Sequence, residues 1–328
     1  MSGVQTVAVR PEDDGLRLDK WFGKHYPGLT FGRLNKLLRT GQVRVDGVKA
    51  KDAKLSLHAG QSVRVPPLDK EKSPAAPVPA RSEPSAKDAE ILRARVLHKD
   101  GHVIVLDKPA GLAVQGGSGT TRHVDGMLGA LAFGMAEKPR LVHRIDKDTS
   151  GILVLARTQQ AAQALTAAFR TKDVRKVYWA VVAGVPDRME GRIDLPIAKR
   201  PGKGGERMMV DEIDGKRAVT EFRVVDRAGQ RAAWVEMEPI TGRTHQLRVH
   251  MEAIGTPILG DGKYGGAKAF LQGAEVAKQL HLHARAIRFP HPAGGELEII
   301  APLPDHMTQT FAYLGFDEFG ASPPFTGG

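Results

Sequence analysis

The chain has 328 residues and no cysteine, and its 48 Lys and Arg exceed its 37 Asp and Glu by 11. The missing cysteine excludes disulfide scaffolds, thiol nucleophiles and Cys-ligated zinc or iron–sulfur sites. With 41% hydrophobic residues but no run near the roughly 20 apolar residues that span a bilayer, a two-domain globular protein is expected, cytoplasmic and off the membrane.

Residues 1–14 read as an N-terminal segment without the basic and apolar regions of a secretory leader. Residues 15–66 read as a small α/β unit. Leu18, Trp21 and Phe22 recur at helical spacing, as do Leu34, Leu37 and Leu38, and Gly41 is a plausible helix stop. Arg33, Lys36 and Arg39 fall on the other side of the second helix. Val43 to Val45 alternates and runs into Asp46-Gly47, a hairpin-turn signal, and Gln61 to Val65 alternates again. Residues 16–65 carry 11 Lys and Arg against 3 Asp and Glu, a net of +8, whereas the rest of the chain nets +3. A scattered basic cluster is usually a solvated surface, but a whole basic unit points to a polyanion. Only 5% of residues are aromatic, so a phosphate-tracking module suits the composition better than a base-stacking platform.

Residues 67–90 are the linker, since six of the 21 prolines fall between residues 66 and 87. Residues 91–316 alternate strand-like and helix-like stretches. Strands are expected at His102–Leu106, Ile152–Leu155, Lys176–Ala183, Ala218–Val225, Ala232–Glu238, Ala284–Phe289 and Glu296–Ile300. Helices are expected at Gln159–Arg170, Thr244–Ile254 and Asp305–Leu314. Without strict βαβ alternation, the expected fold class is α+β, with a mixed, largely antiparallel sheet in the larger domain. Residues 317–328 read as a disordered tail.

The densest polar cluster runs from His143 to Gly151, directly before an apolar strand. Four charges lie between Arg144 and Thr149 on a loop held between two apolar segments, as functional loops are. A merely solvated connection is an equally good reading on composition alone. An Asp flanked by Arg and Lys stays ionised, which suits a nucleophile or metal ligand better than a general acid. Asp146-x-Asp148 could hold a divalent cation, although Arg144 and Lys147 disfavour it. His281-x-His283 with His245 and His250 suggests zinc, but the spacing of five between His245 and His250 is wrong for one helix face. Gly116 to Gly119 lacks the Lys-Ser/Thr of a phosphate loop and reads as a turn. Around Arg243 and Arg248, near a helix start, an arginine could neutralise a phosphate or a buried Asp.

The loop His143-Arg144-Ile145-Asp146-x-x-Thr149-Ser150-Gly151 resembles the catalytic motif of the RluA-type family of RNA pseudouridine synthases. Asp107 to Gly111, Lys176 to Ala180, Gly242 to His250, Gly260-Asp261-x-x-Tyr264-Gly265 and Leu282 to Ala284 resemble further family motifs, in the expected order. The basic N-terminal unit resembles an S4 RNA-binding domain. Ile145 stands where Leu is common, and Gln115 where the ribosomal branch often has His.

The resemblance implies isomerisation of uridine to pseudouridine in RNA, most of all large-subunit ribosomal RNA, with no cofactor and no metal. It implies Asp146 as nucleophile on a flipped-out uridine, Tyr178 stacking on the base, and Arg248 paired with Asp146. Arg144, Ile145 and Leu282 would bind substrate, and Lys20, Arg33, Lys36, Arg39 and Arg44 would contact RNA. A monomer is expected, with RNA as its partner. The alternatives are a synthase acting on tRNA or another RNA, a metal-dependent RNA-processing enzyme using Asp146 and Asp148, and a non-catalytic RNA-binding assembly factor.

Overall fold

The computed structural model describes residues 4–68, 86–116, 120, 122–171, 173–202 and 205–325. The chain divides into two units, residues 1–81 and 82–328. Most of the proline-rich linker and the glycines at 117 and 119 lie outside the described residues.

In the first unit, helical spacing of large apolar residues produces α1 (Leu18–His25) and α2 (Phe31–Arg39), after the strand β1 (Gln5–Ala8). Thr30 caps α2, its hydroxyl accepting from the Arg33 amide at 3.3 Å. The strands β2 (Arg44–Val45) and β3 (Val48–Lys49) follow, joined through Asp46 and Gly47, both at positive φ (49° and 78°). That is the left-handed pair a two-residue hairpin turn requires. With β4 (Ser62–Val65) they complete an antiparallel sheet ordered β1–β4–β2–β3. Trp21, Phe22, Leu34, Leu38, Val43 and Val63 form one buried cluster.

The second unit begins with α3 (Ala86–Ala94), β5 (Val96–Lys99), β6 (Val103–Lys108), α4 (Val124–Met127), β7 (Arg140–Leu141), β8 (Ser150–Ala156) and α5 (Gln159–Arg170). It continues with β9 (Arg175–Ala183), β10 (Glu190–Asp194), β11 (Ile197–Gly202), β12 (Gly205–Val210), β13 (Val219–Ala228) and β14 (Ala232–Pro239). It closes with α6 (Gln246–Ala253), β15 (Leu282–Pro290), β16 (Glu296–Ile300) and α7 (Asp305–Leu314). Ten strands form one sheet ordered β10–β13–β14–β9–β15–β8–β6–β5, with β16 beside β15 and β7 beside β8. Only β8 and β15 pair in parallel, so the sheet is mixed and largely antiparallel.

Every residue of β6 and β8 is buried, as expected of strands covered on both faces. Ile152, Val154 and Ala156 pack with Ala161 and Leu165 of α5, while Leu153 and Leu155 face Leu92, Met127 and Leu128 on the other side. Further along the sheet, Ala180, Val182, Val235 and Met237 pack under Leu247 and Met251 of α6. Trp179 and Trp234 meet edge to face at 4.5 Å against Phe311 of α7. Such a pair contributes about 1 kcal/mol beyond its buried area. These two packings place the β8 entry loop, the middle of β9 and the start of α6 around one opening in the sheet surface.

Three expected boundaries move. Gln5–Ala8, expected in a segment before the small unit, belong to its sheet, because β1 pairs residue for residue with β4, from Gln5 with Val65 to Ala8 with Ser62. The linker is shorter than 67–90, because α3 has begun by Ala86. The described part of the tail is partly ordered against the domain: Glu318–Gly320 form a helical turn, and Phe325 lies under the guanidinium groups of Arg175 (5.2 Å) and Arg288 (4.8 Å), although Phe319 is exposed.

Candidate active site

The catalytic-motif loop is held at both ends. His143 stacks on Phe169 of α5 at 4.2 Å, and its Nε2 accepts from the Val154 amide at 2.8 Å. Burial, with help from Lys176, pushes its pKa down to about 3, so the ring is neutral and acts as a peg between loop and strand. At the far end Gly151 has φ +99°, and a Cβ there would lie 2.4 Å from the Ala284 carbonyl oxygen. Only glycine lets β8 approach β15 so closely. From below, the Lys147 carbonyl accepts from the Gly111 amide (2.9 Å) and from Lys108 Nζ (3.0 Å). The buried Lys108 ammonium also donates to the carbonyls of Pro109 and Leu112. Burial lowers its pKa to about 7, against the pull of Asp148, Asp146 and Asp107.

The loop opens onto a cleft of about 320 Å³. Arg144, Ile145 and Asp146 line it from the loop, Tyr178 from β9, Leu282 from β15, and His245 and Arg248 from the start of α6. The Asp146 side chain is 20% exposed. Burial first, and then the charge of Asp146, raise the pKa of Tyr178, so its phenol keeps its proton.

Arg248 lies in this cleft but is not the salt-bridge partner of Asp146. It forms a two-pronged pair with Asp261, Nε to Oδ2 and Nη2 to Oδ1 both at 2.7 Å. The charge of Asp146 reaches Arg248 only through space, behind burial and the Asp261 pair in its effect on the guanidinium. The reason is geometric: a planar guanidinium satisfies a carboxylate best through two parallel hydrogen bonds, and Asp261 is the buried carboxylate placed to accept them. The basic side chain beside Asp146 is instead His245, with Nε2 at 3.9 Å from Asp146 Oδ1.

A family model described as RNA pseudouridylate synthase matches residues 102–253, which contain the cleft loop, β9 and α6. The ribosomal large subunit pseudouridine synthase C of Vibrio cholerae is 36% identical over 95% of this chain and 97% of its own length. The chain belongs to the RNA pseudouridine synthase family. An RNA pseudouridine synthase of Synechocystis sp. is 34% identical over 92% of this chain and 89% of its own. Among solved structures, human RNA pseudouridylate synthase domain containing 4 superposes with a TM-score of 0.58. It shares 32% identity and covers 69% of this chain and 95% of its own. Within the family the chain is an RluA-type, RluC-like isomerase that makes pseudouridine in RNA.

The other motif residues of the synthase disperse. Asp148 faces a second cavity with Gly111, Lys263 and Lys278, on the other side of the loop from Asp146. The two carboxylates therefore do not converge on one cation. The four histidines of the zinc reading have separate partners: His281 with Gln279 and Thr310, His283 with Ser150, His250 with Thr220 and Leu195, and His245 with Tyr264. No helix among the described residues is long and apolar enough to cross a membrane.

In the first unit Lys20, Lys36 and Arg39 are exposed on α1 and α2, with Arg33 half-buried beside them. Arg44 is half-buried on β2 and donates to the Gly47 carbonyl at 3.2 Å. Sequence reasoning missed Asp261 as the partner of Arg248, although the spacing of thirteen residues between two family motifs carries both. It also missed His245 as a neighbour of Asp146.

Proposed function

We propose that Asp146 is the nucleophile of uridine isomerisation, acting on a uridine turned out of large-subunit ribosomal RNA. The carrying observation is one small cleft that holds a partly exposed carboxylate beside a protonated, half-buried Tyr178. A cleft of about 320 Å³ admits one nucleoside and excludes a duplex, so the base must leave its stack, at a cost of a few kcal/mol.

In the reaction the C1′–N1 bond breaks, the uracil turns, and a C1′–C5 bond forms as C5 loses its proton and N1 gains one. Nothing is oxidised or hydrolysed, so the chain's own side chains suffice. Asp146 supplies the electron pair. The Tyr178 ring stacks on the base while its hydroxyl remains a donor. Leu282 and Ile145 wall the pocket, and Arg144, exposed at the mouth, fills the gap left in the RNA. The relatives named for the ribosomal large subunit, 35–36% identical over 95% of the chain, favour that RNA over tRNA. The basic first unit, read as S4-like, grips phosphates.

Tritium release from RNA labelled at uracil C5 tests the assignment. The variant Asp146→Asn is expected to release none while binding RNA within a few-fold of the native chain. Turnover by that variant would refute the assignment, and loss of native turnover on chelation would favour the metal-dependent alternative.

A further inference from the structure

The residue that begins α6 is in a conformation its type avoids. His245 has φ 54° and ψ 20°, in the left-handed region, and its side chain makes no capping hydrogen bond. A non-glycine residue is held there only when its surroundings require it, and such residues concentrate at functional sites. Helix capping would be served as well by glycine, so the reason must lie in what the imidazole touches.

It touches two groups. Nδ1 lies 2.6 Å from the Tyr264 hydroxyl, and Nε2 faces Asp146 Oδ1 at 3.9 Å. Burial raises the pKa of Tyr264, so the phenol keeps its proton, and among the described residues the imidazole is the one acceptor within hydrogen-bond distance of that proton. The hydroxyl therefore donates to Nδ1, which leaves the ring hydrogen on Nε2, the nitrogen on the Asp146 side of the ring. The charges facing the ring are Asp146 from the motif loop, Arg248 from α6, and Lys263 and Asp261 from the turn after it. Burial outweighs them and lowers the pKa of the imidazole, so it is neutral at pH 7.

We propose that His245 is a positioning residue for Asp146: a neutral imidazole, its tautomer chosen by Tyr264, presents Nε2–H to one carboxylate oxygen and leaves the other to react. The inference rests on Asp146 being the nucleophile. The 3.9 Å separation is longer than a hydrogen bond and closes when the nucleoside fills the cleft, as catalytic contacts commonly do. A neutral donor orients a carboxylate without cancelling its charge, which a protonated ring would do.

The test uses the full chain and the tritium-release assay, with RNA affinity and Tm measured in parallel. His245→Gly suits the left-handed backbone, so Tm and RNA affinity should hold while kcat falls about 100-fold and KM stays unchanged. His245→Gln keeps an N–H on a neutral side chain and should recover kcat to within about tenfold of native. Tyr264→Phe should lower kcat in the native background and change nothing further in His245→Gly. The proposal is overturned if His245→Gly turns over within about twofold of native, if Gln rescues nothing, or if the Tyr264 and His245 effects simply multiply. Asp146→Asn is assayed beside them. If it is inactive while His245→Gly is active, only the present inference fails. If it is active, the nucleophile assignment itself has failed.

Discussion

Two residues of the motif loop do structural work that fixes where a third, Asp146, stands in the cleft. His143 is neutral and pinned between Phe169 and the Val154 amide. Gly151 is the point where β8 touches β15, with the Ala284 carbonyl 2.4 Å from where a Cβ would stand. Adding that methyl group combines backbone strain with overpacking between two buried strands. Gly151→Ala is therefore expected to lose roughly 2–4 kcal/mol in urea denaturation and to lower turnover as the loop is displaced. An unchanged midpoint would mean that the contact relaxes freely. At this scale the sequence was partly legible. The motif marked Asp146, Tyr178 and Arg248, and all three line one cleft. It did not mark who pairs with whom, because Asp261 and Tyr264 reach the site only through the turn after α6.

Among the elements, the turn between β5 and β6 is joined to the turn between β15 and β16 through one carboxylate. Asp100 accepts from the amides of His102 and Val103 at 2.6 and 2.8 Å and meets His98 and His291 at 2.7 and 3.0 Å. Burial alone would raise its pKa, but the hydrogen bonds from His98, the two amides and His291 outweigh it and hold the group well below the usual carboxylate range. A folded-state pKa below the unfolded one stabilises the fold above the unfolded value, near pH 4, and that contribution is lost as pH falls further. Native protein should therefore exceed Asp100→Asn in Tm at pH 6, and the gap should narrow steadily as pH falls below about 4. A gap as wide at pH 2 as at pH 6 would assign the effect to shape rather than charge.

Strongly patterned elements were readable in advance: Gln159–Arg170, Glu296–Ile300 and Asp305–Leu314 keep their expected bounds. The hairpin of β11 and β12 was not, because Ile197-Ala198-Lys199-Arg200-Pro201-Gly202 has no apolar alternation and its strand partner is β12 alone, outside the large sheet. Strand β1 was missed because its partner β4 lies more than fifty residues on. Helix α6 begins two residues later than its apolar spacing suggested, since His245 leaves the helical region.

For the whole molecule, the uneven charge is the main fact. One fifty-residue stretch nets +8 and the remainder +3, and the first unit has its own core. Replacing Lys20, Arg33, Lys36, Arg39 and Arg44 together by Gln removes surface cations without touching that core. If they meet phosphates, the slope of log affinity against log salt should flatten by about 3, while kcat at saturating RNA stays near native. An unaltered slope would take the RNA contacts away from this unit.

The clamp between Arg248 and Asp261 has one more consequence. A carboxylate gripped by a guanidinium is a dulled reagent, because its lone pairs are already engaged. Here the arginine spends both prongs on a neighbour, and Asp146 feels its field without surrendering an oxygen to it. For the nucleophile proposed here, that leaves a carboxylate whose oxygens are not tied up by the arginine, and the synthase keeps its strongest cation as scenery rather than as a leash.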